Sequence, residues 1–360
     1  MTLSTRAAAT VILASALAGC GAPATDPKKL PPVNPQAASL REGFSSMERL
    51  VEAARKEGTL TVIGLPRDWA NYGEILDTFS DKYGIKVEQL EPNASSHQEI
   101  MSATQPKPGA HVPDVFDLGV DVAVANESLF APYRVQNWQD IPDQLKNHSG
   151  KWYGAYGGYM SIGYDSRKVR PPATYADLLK PGYVVALPGD PLRTAAAFNG
   201  VMAASLSGES ASAERGVKFF SRLRQAGNFA LSGKTPTAVI DWEYLNAGRM
   251  AMDGGKAWKV ALPGPSAIGS YYVQAINRGA PHPAAARLWQ EFLYSDEGQN
   301  LFLKGHARPA RLEALQMRGT VDREAAAKLP PAPAKPVFLT IPETDTAKSY
   351  LESHWTRSVG

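Results

Sequence analysis

Cysteine is almost missing. The 360-residue chain has one, Cys20. An internal disulfide, a four-cysteine zinc site and a cysteine nucleophile in the body of the protein are therefore excluded. Histidine is scarce too. His97, His111, His148, His282, His306 and His354 are scattered without metal-ligand spacing. Neither sign of charge is in clear excess: 38 Lys and Arg against 35 Asp and Glu leave a formal charge of +3. With no basic cluster, that is no footprint for nucleic acid. No GxSxG, HExxH, P-loop or GxGxxG occurs, which lowers the enzyme reading. It does not remove it, because two catalytic carboxylates can meet in a cleft without a sequence signature. No apolar run reaches the roughly 20 residues of a membrane-spanning helix. Internal repeats and long charge runs are also absent.

What is present begins with an address. Arg6 precedes the apolar run Ala7–Ala18, which ends in Leu17-Ala18-Gly19-Cys20. A basic start, a short apolar core and small residues before the cut make a secretory signal. Leu-Ala-Gly-Cys is similar to the bacterial lipobox, in which the cysteine is lipid-modified and becomes the first mature residue. Residues 1–19 are then a lipoprotein signal peptide and Cys20 the lipid attachment point, which places the protein outside the cytoplasm on a bacterial membrane. Gly21–Ser46 is Pro- and Ala-rich with no helical or strand period, so residues 20–46 read as a flexible tether; the alternative is a structured N-terminal arm. The remaining body exceeds the size at which single cores stop growing, so two lobes are expected.

Glu57–Phe79 sets the architecture. Thr59–Gly64 is short, apolar and β-branched, a buried strand that Pro66 ends. Tyr72, Ile75, Leu76 and Phe79 then share one helical face. Asn71 and Glu74 have the spacing of a capping box. The loop Leu65–Ala70, with Arg67, Asp68 and Trp69, is thus delivered to a helix start, where ligands bind in open α/β folds. With the strand Ile85–Leu90 the opening is β-α-β, the unit of a parallel sheet.

Other strand ends carry polar groups. Asp114–Val120 ends at Asp117–Asp121. In Trp152–Val169, tyrosines alternate with glycines, which suits a strand crossing between lobes beside a cleft; a Gly-rich hairpin is the alternative. Val184–Leu187 leads into Arg193-Thr194 and a helix over Ala195–Leu206, whose free N–H groups favour an anionic group. Thr237–Asp241 leads into Asp241-Trp242-Glu243-Tyr244. Ala285, Leu288, Trp289, Phe292 and Leu293 make a strong helical face after Pro283. Residues 316–360 give no clear pattern beyond a helical or irregular segment.

Several of these stretches together resemble one family. EGTLTVIGLP, DVFDLGV, YGGYMSIGYDSRKV, PATYADLLKPGY, AVIDW and, most specifically, APHPAAARLWQEFLYSDEGQ are similar to bacterial extracellular solute-binding proteins of ABC importers. The likeness covers roughly Glu57–Leu315. It is nearest to the branch of polyamine, ferric-iron and aminoalkylphosphonate binders. It implies an α/β, two-lobed periplasmic-binding-protein-like fold of type II, with mixed sheets flanked by helices and a ligand cleft between the lobes. Lobe 1 would comprise residues 47–155 and 266–315, and lobe 2 residues 156–265. The partners implied are a small-molecule solute, an ABC permease and its ATPase. No cofactor is implied, and members are usually monomers.

The ligand-binding residues expected on this basis are Trp69, Asp121, Tyr156, Arg193, Thr194, Asp241, Trp242 and Tyr271. An acid-aromatic pair such as Asp241-Trp242, completed by Trp69 and Tyr156, would hold a polyamine or other small amine by charge and cation–π contact. Arg193 at a helix start would suit a phosphonate, or the anionic end of a zwitterion. Tyr271-Tyr272 resembles the tyrosine pair of iron binders in type, but adjacent residues of a strand face opposite ways. Pro181–Leu187 and Asn228–Pro236 are shorter than the family leads one to expect, which implies an altered pocket if either segment lines the cleft. A sensor or scaffold that kept the fold, and a lipid-anchored hydrolase, are the competing readings.

Overall fold

The computed structural model describes residues 31–230 and 234–360. The signal segment, Cys20 and the first part of the tether lie outside the described residues. Helix α1 (Met47–Glu57) is capped by Ser46 and closed by Gly58 in the left-handed region. Strand β1 (Thr59–Ile63) follows, buried from Leu60 onward. Helix α2 (Tyr72–Tyr83) turns Tyr72, Ile75, Leu76 and Phe79 inward. Strand β2 (Lys86–Leu90) pairs with β1 in parallel, so the β-α-β opening forms as the spacing predicts.

One expected detail is replaced. Asn71 is left-handed (φ 68°) and makes no side-chain cap bond. Its amide donates instead to Glu74 Oε2 at 2.8 Å and to the Leu301 carbonyl at 3.0 Å. The helix start is thereby tied to a distant segment rather than boxed on itself.

Helix α3 (Ser96–Thr104) carries a complete capping box from Ser95 and Gln98. Strand β3 (Val115–Gly119) is buried throughout and is joined to β1 by Asp114. The Asp114 N–H donates to the Thr61 carbonyl at 2.8 Å, and its carboxylate accepts from the Thr61 N–H at 2.7 Å.

The centre of the molecule is the 14-residue strand β4 (Trp152–Asp165). Its second half, from Met160, pairs with β5 (Ala238–Trp242) and β6 (Trp258–Ala261). Its first half, through Tyr159, pairs with β7 (Ser266–Asn277). Strand β7 pairs in turn with β3. The tyrosine–glycine stretch is therefore the crossing strand, and it changes partners at Tyr159/Met160. Helices α4 (Ala195–Ala204), α5 (Ala213–Gln225) and α6 (Glu243–Met252) belong to the half around β5. Helix α7 (Pro283–Leu293) buries Ala285, Leu288, Trp289 and Phe292 in the half around β3. The result is a mixed α/β fold with helices flanking a sheet that runs through both halves.

Two segments are more ordered than their composition suggests. Leu40–Gly43 forms a helical turn capped by Ser39, and Phe44 is fully buried. Arg287 Nε donates to the Ala37 carbonyl at 2.8 Å. The tether expected through Ser46 is thus corrected: from Ala37 the chain packs into the domain. The C-terminal segment adds a strand, β8 (Lys335–Val337), parallel to the start of β7. Helix α8 (Ile341–Ser358) follows, with a Thr340–Glu343 capping box. Its Thr344, Ala347, Leu351 and Trp355 are buried, and the Trp355 ring lies 5.4 Å from Phe220 of α5. Among the described residues no helix is long and apolar enough to cross a membrane.

Candidate functional site

The loop after β1 places Trp69 against the middle of the crossing strands. Its indole N–H donates to the Tyr156 hydroxyl at 2.7 Å. That hydroxyl donates to Asp117 Oδ2 at 2.7 Å. Gln274 donates to Asp117 Oδ1 at 2.7 Å and to the Tyr72 hydroxyl at 3.1 Å. The sheet register explains the meeting. Tyr156 of β4 stands opposite Tyr272 of β7, and Asp117 of β3 stands opposite Gln274. Tyr272 and Gln274, two apart, share a face.

An aromatic layer covers this network. The Tyr156 ring stacks on Tyr272 at 5.6 Å and on Phe302 at 4.7 Å. Trp69 meets Tyr244 edge-on at 5.8 Å and Tyr272 at 5.5 Å. Trp242 stacks beside Tyr244 at 6.3 Å. Trp69 belongs to the β1 loop, whereas Trp242 and Tyr244 lie at the end of β5. The rings therefore close the two halves on one another, and Tyr156, Trp242 and Tyr244 are buried. A surface hollow of about 590 Å³ lies elsewhere, against Met47, Val51 and Tyr83. Glu48, Glu52, Arg55 and Lys56 also line that groove, which is open to solvent, and Lys56 pairs with Glu52 there; the buried polar groups are concentrated in the closed aromatic layer.

The electrostatics of the layer are lopsided. Asp117 is pushed up to about 7 by burial, against the pull of the Tyr156, Tyr72 and Gln274 donors. Glu99, also buried, accepts the Asp117 N–H at 3.0 Å. Burial and the charge of Asp117 hold its carboxyl well above the usual range. Among the described residues neither carboxylate has an ion-pair partner. At the end of β5, Asp241 is pushed up to about 6 by burial, offset by Arg249, whose guanidinium lies 3.4 Å from Oδ2. Glu243 is pushed up to about 7 by burial although Arg308 Nε reaches its Oε1 at 2.6 Å. Three consecutive residues here hold buried polar atoms without a hydrogen-bond partner among the described residues: Trp242 Nε1, Glu243 Oε2 and Tyr244 Oη. Such atoms cost about 1–3 kcal/mol each when unmet, and native interiors leave few of them.

A family model described as bacterial extracellular solute-binding protein matches residues 112–335. The chain belongs to the bacterial extracellular solute-binding protein family. Solved structures agree on the fold of this solute-binding protein. It is similar to the periplasmic binding protein AgtB from A. tumefaciens R10 in complex with agropinic acid. The TM-score is 0.64 at 16% identity, covering 84% of this chain and 98% of that one. It is similar to iron-bound HitA from Pseudomonas aeruginosa at TM-score 0.62 and 20% identity, covering 84% and 99%. It is also similar to AfuA from Actinobacillus pleuropneumoniae with fructose-6-phosphate bound, at TM-score 0.61 and 17% identity, covering 84% and 98%. The fold is accordingly the two-lobed one of periplasmic binding proteins. Three such different ligands on one fold mean that the cargo must be argued from the site.

Of the residues expected at a solute site, Trp69, Tyr156 and Trp242 come together in the aromatic layer. Asp241 lies at the same strand end, but its carboxylate is engaged by the Trp242 N–H at 2.9 Å and by Arg249. Tyr271 is not in the layer. It faces away, stacked on Phe338 at 6.2 Å, and its neighbour Tyr272 takes the inner position. Arg193 has an 86% exposed side chain, 3.9 Å from Asp190. Thr194 is the N-cap of α4 but makes no side-chain capping bond. Neither joins the layer. Asp121 pairs with Lys348 of α8. The layer and its network also take in Asp117, Gln274, Tyr72, Tyr244 and Tyr272, which are not among the residues expected at a solute site. Tyr272 and Gln274 were readable as alternate positions on a strand. The meeting of Asp117 with Tyr156 was not, because it spans 39 positions.

Among the described residues no three His, Cys, Asp or Glu are grouped to hold a metal ion. Tyr271 and Tyr272 diverge, so they do not form a joint ligand pair.

Proposed function

We propose that this chain is the lipid-anchored solute receptor of an ABC importer and that its cargo is a small amine-bearing polar solute, polyamines included. The observation that carries the amine is Asp117. It is a buried carboxylate with no cationic partner among the described residues, set behind the faces of Trp69, Tyr156 and Tyr272. An ammonium group is what carboxylates and aromatic faces jointly favour. The unmet atoms of Trp242, Glu243 and Tyr244 supply a donor, an acceptor and a hydroxyl for the rest of a polar solute. Opening of the layer between Trp69 and Tyr244 would admit the solute, and reclosing would bury it with its polar groups satisfied.

The test is a thermal-shift and calorimetric screen of the chain from Val33, which forms one compact unit, against polyamines, amino acids, aminophosphonates, sugars and ferric chelates. A ligand of the folded state at a hundred times its Kd stabilises by about 2.7 kcal/mol. An amine that shifts the wild type and loses about tenfold or more in affinity with Asp117→Asn supports the reading. Binding confined to sugars or ferric chelates, untouched by that variant, rejects it. The anchor at Cys20 is tested separately by metabolic labelling with an alkynyl fatty acid, where Cys20→Ser should lose the label.

A further inference from the structure

The family match stops at residue 335, yet the chain goes on to build α8. That helix is seated on α5 through Ala347, Leu351 and Trp355. Leaving this seat, Lys348 reaches the other half of the molecule. Its ammonium pairs with Asp121, which lies on the short helix Val120–Ala125 directly after β3. The same ammonium sits 5.8 Å from the centre of the Phe198 ring of α4. Asp121 belongs to the half around β3, and Phe198 to the half around β5.

We propose that Asp121 and Phe198 form a primary-ammonium site that the protein fills with its own Lys348, and that this internal ligand straps the two halves together. The chemistry is complete within the contact. A carboxylate supplies the opposite charge, and an aromatic face supplies the quadrupole. The four-carbon stem of lysine spans the gap from a firmly packed helix. The strap is soft. The Lys348 side chain is 42% exposed and that of Asp121 22%, so solvent and salt screen the pair. It favours the closed arrangement by about fivefold at most, enough to bias a two-state opening and weak enough to be released.

The experiment uses the full chain with Cys20→Ser and spin labels on Met101→Cys and Met252→Cys. These are exposed positions, one in each half. Pulsed-EPR distances are measured without any solute, so the result is independent of what the cleft binds. The wild-type background should give a short distance that broadens to longer values in high salt. Lys348→Ala should lower the ratio of short to long distances at low salt by up to about fivefold, with no further salt response. Adding n-butylammonium should restore the short distance in Lys348→Ala, whereas the same concentration of sodium chloride should not. Asp121→Asn should open the molecule likewise but show no rescue. Hydrogen exchange over residues 341–358 controls for loss of the helix itself. A distance distribution unchanged by Lys348→Ala and Asp121→Asn, with α8 still protected, overturns the strap. Opening without butylammonium rescue overturns the ammonium site.

Discussion

The Trp69 indole N–H donates to the Tyr156 hydroxyl at 2.7 Å, and that hydroxyl passes its own proton toward Asp117 at 2.7 Å. One tyrosine thus links a loop of the first half, the crossing strand and a buried carboxylate. Tyr156→Phe removes both bonds and leaves Asp117 with fewer donors in a buried site. Loss of stability should be about 1–3 kcal/mol, because the carboxylate stays desolvated while a partner goes. Trp69→Phe keeps the Tyr156–Asp117 bond and should cost less. Denaturant melts of the two variants give the comparison, and equal losses would contradict the order of the chain.

The pH dependence follows from the same carboxylate. Asp117 is raised to about 7 in the folded protein, so between its ordinary value and about 7 the folded state holds a proton that the unfolded state has lost. Stability then falls as pH rises across that window, the reverse of a salt-bridged aspartate. A shift from 3.8 to about 7 corresponds to on the order of 4 kcal/mol at most. Asp241, raised to about 6, works in the same direction. Asp117→Asn should flatten the slope between about pH 4 and 7 and raise stability at neutral pH. Melting curves of both proteins across that range isolate the contribution from that of other carboxylates.

Glu243 and Arg308 make the other buried charge pair of the site, with an N–O separation of 2.6 Å and only 0% and 12% side-chain exposure. Removing one partner of such a pair strands the other. Arg308→Met should therefore destabilise by about 3–5 kcal/mol. The double change Arg308→Met with Glu243→Gln should recover a large part of that loss. Chemical denaturation of the two single variants and the double variant forms the cycle, and an additive double variant would refute the coupling.

What could be read from sequence divides along a physical line. The β1-loop-α2 unit, the crossing strand and the face of α7 rest on local periodicity, and each stands where the spacing puts it. Trp69, Tyr156 and Trp242 stand out in sequence, and meet in one layer, because strand ends and aromatic-glycine alternation are local signals. Asp117, Gln274 and Tyr72 do not, because a buried polar network depends on which strands become neighbours. Strand parity requires only that Tyr271 and Tyr272 diverge, not which one faces inward, and it is Tyr272 that stacks on Tyr156 while Tyr271 meets Phe338. Helix α8 lies in the segment read only as helical or irregular, yet its bounds have a local signal: Thr340 and Glu343 have capping-box spacing, and Thr344, Ala347, Leu351 and Trp355 follow at helical intervals.

The glycines of the crossing strand give the most local prediction. At Gly157, a β-carbon would stand 2.3 Å from the Ser270 carbonyl oxygen and 2.8 Å from the Tyr271 ring. The first of these is backbone of the paired strand β7 and cannot swing aside. Gly157→Ala must therefore push β4 and β7 apart where they carry Tyr156 and Tyr272 on the adjacent register pair. Overpacking of this kind costs about 1–3 kcal/mol, and here it also separates the stacked rings. The expected outcome is a lower melting temperature together with weaker solute binding. Gly182→Ala is the control for glycine replacement as such: it meets nothing within 4 Å, although its φ of +98° carries backbone strain of its own. It should lower stability while leaving affinity unchanged. If Gly157→Ala lost stability but bound solute normally, the spacing of the crossing strands would not be what holds the aromatic layer in register.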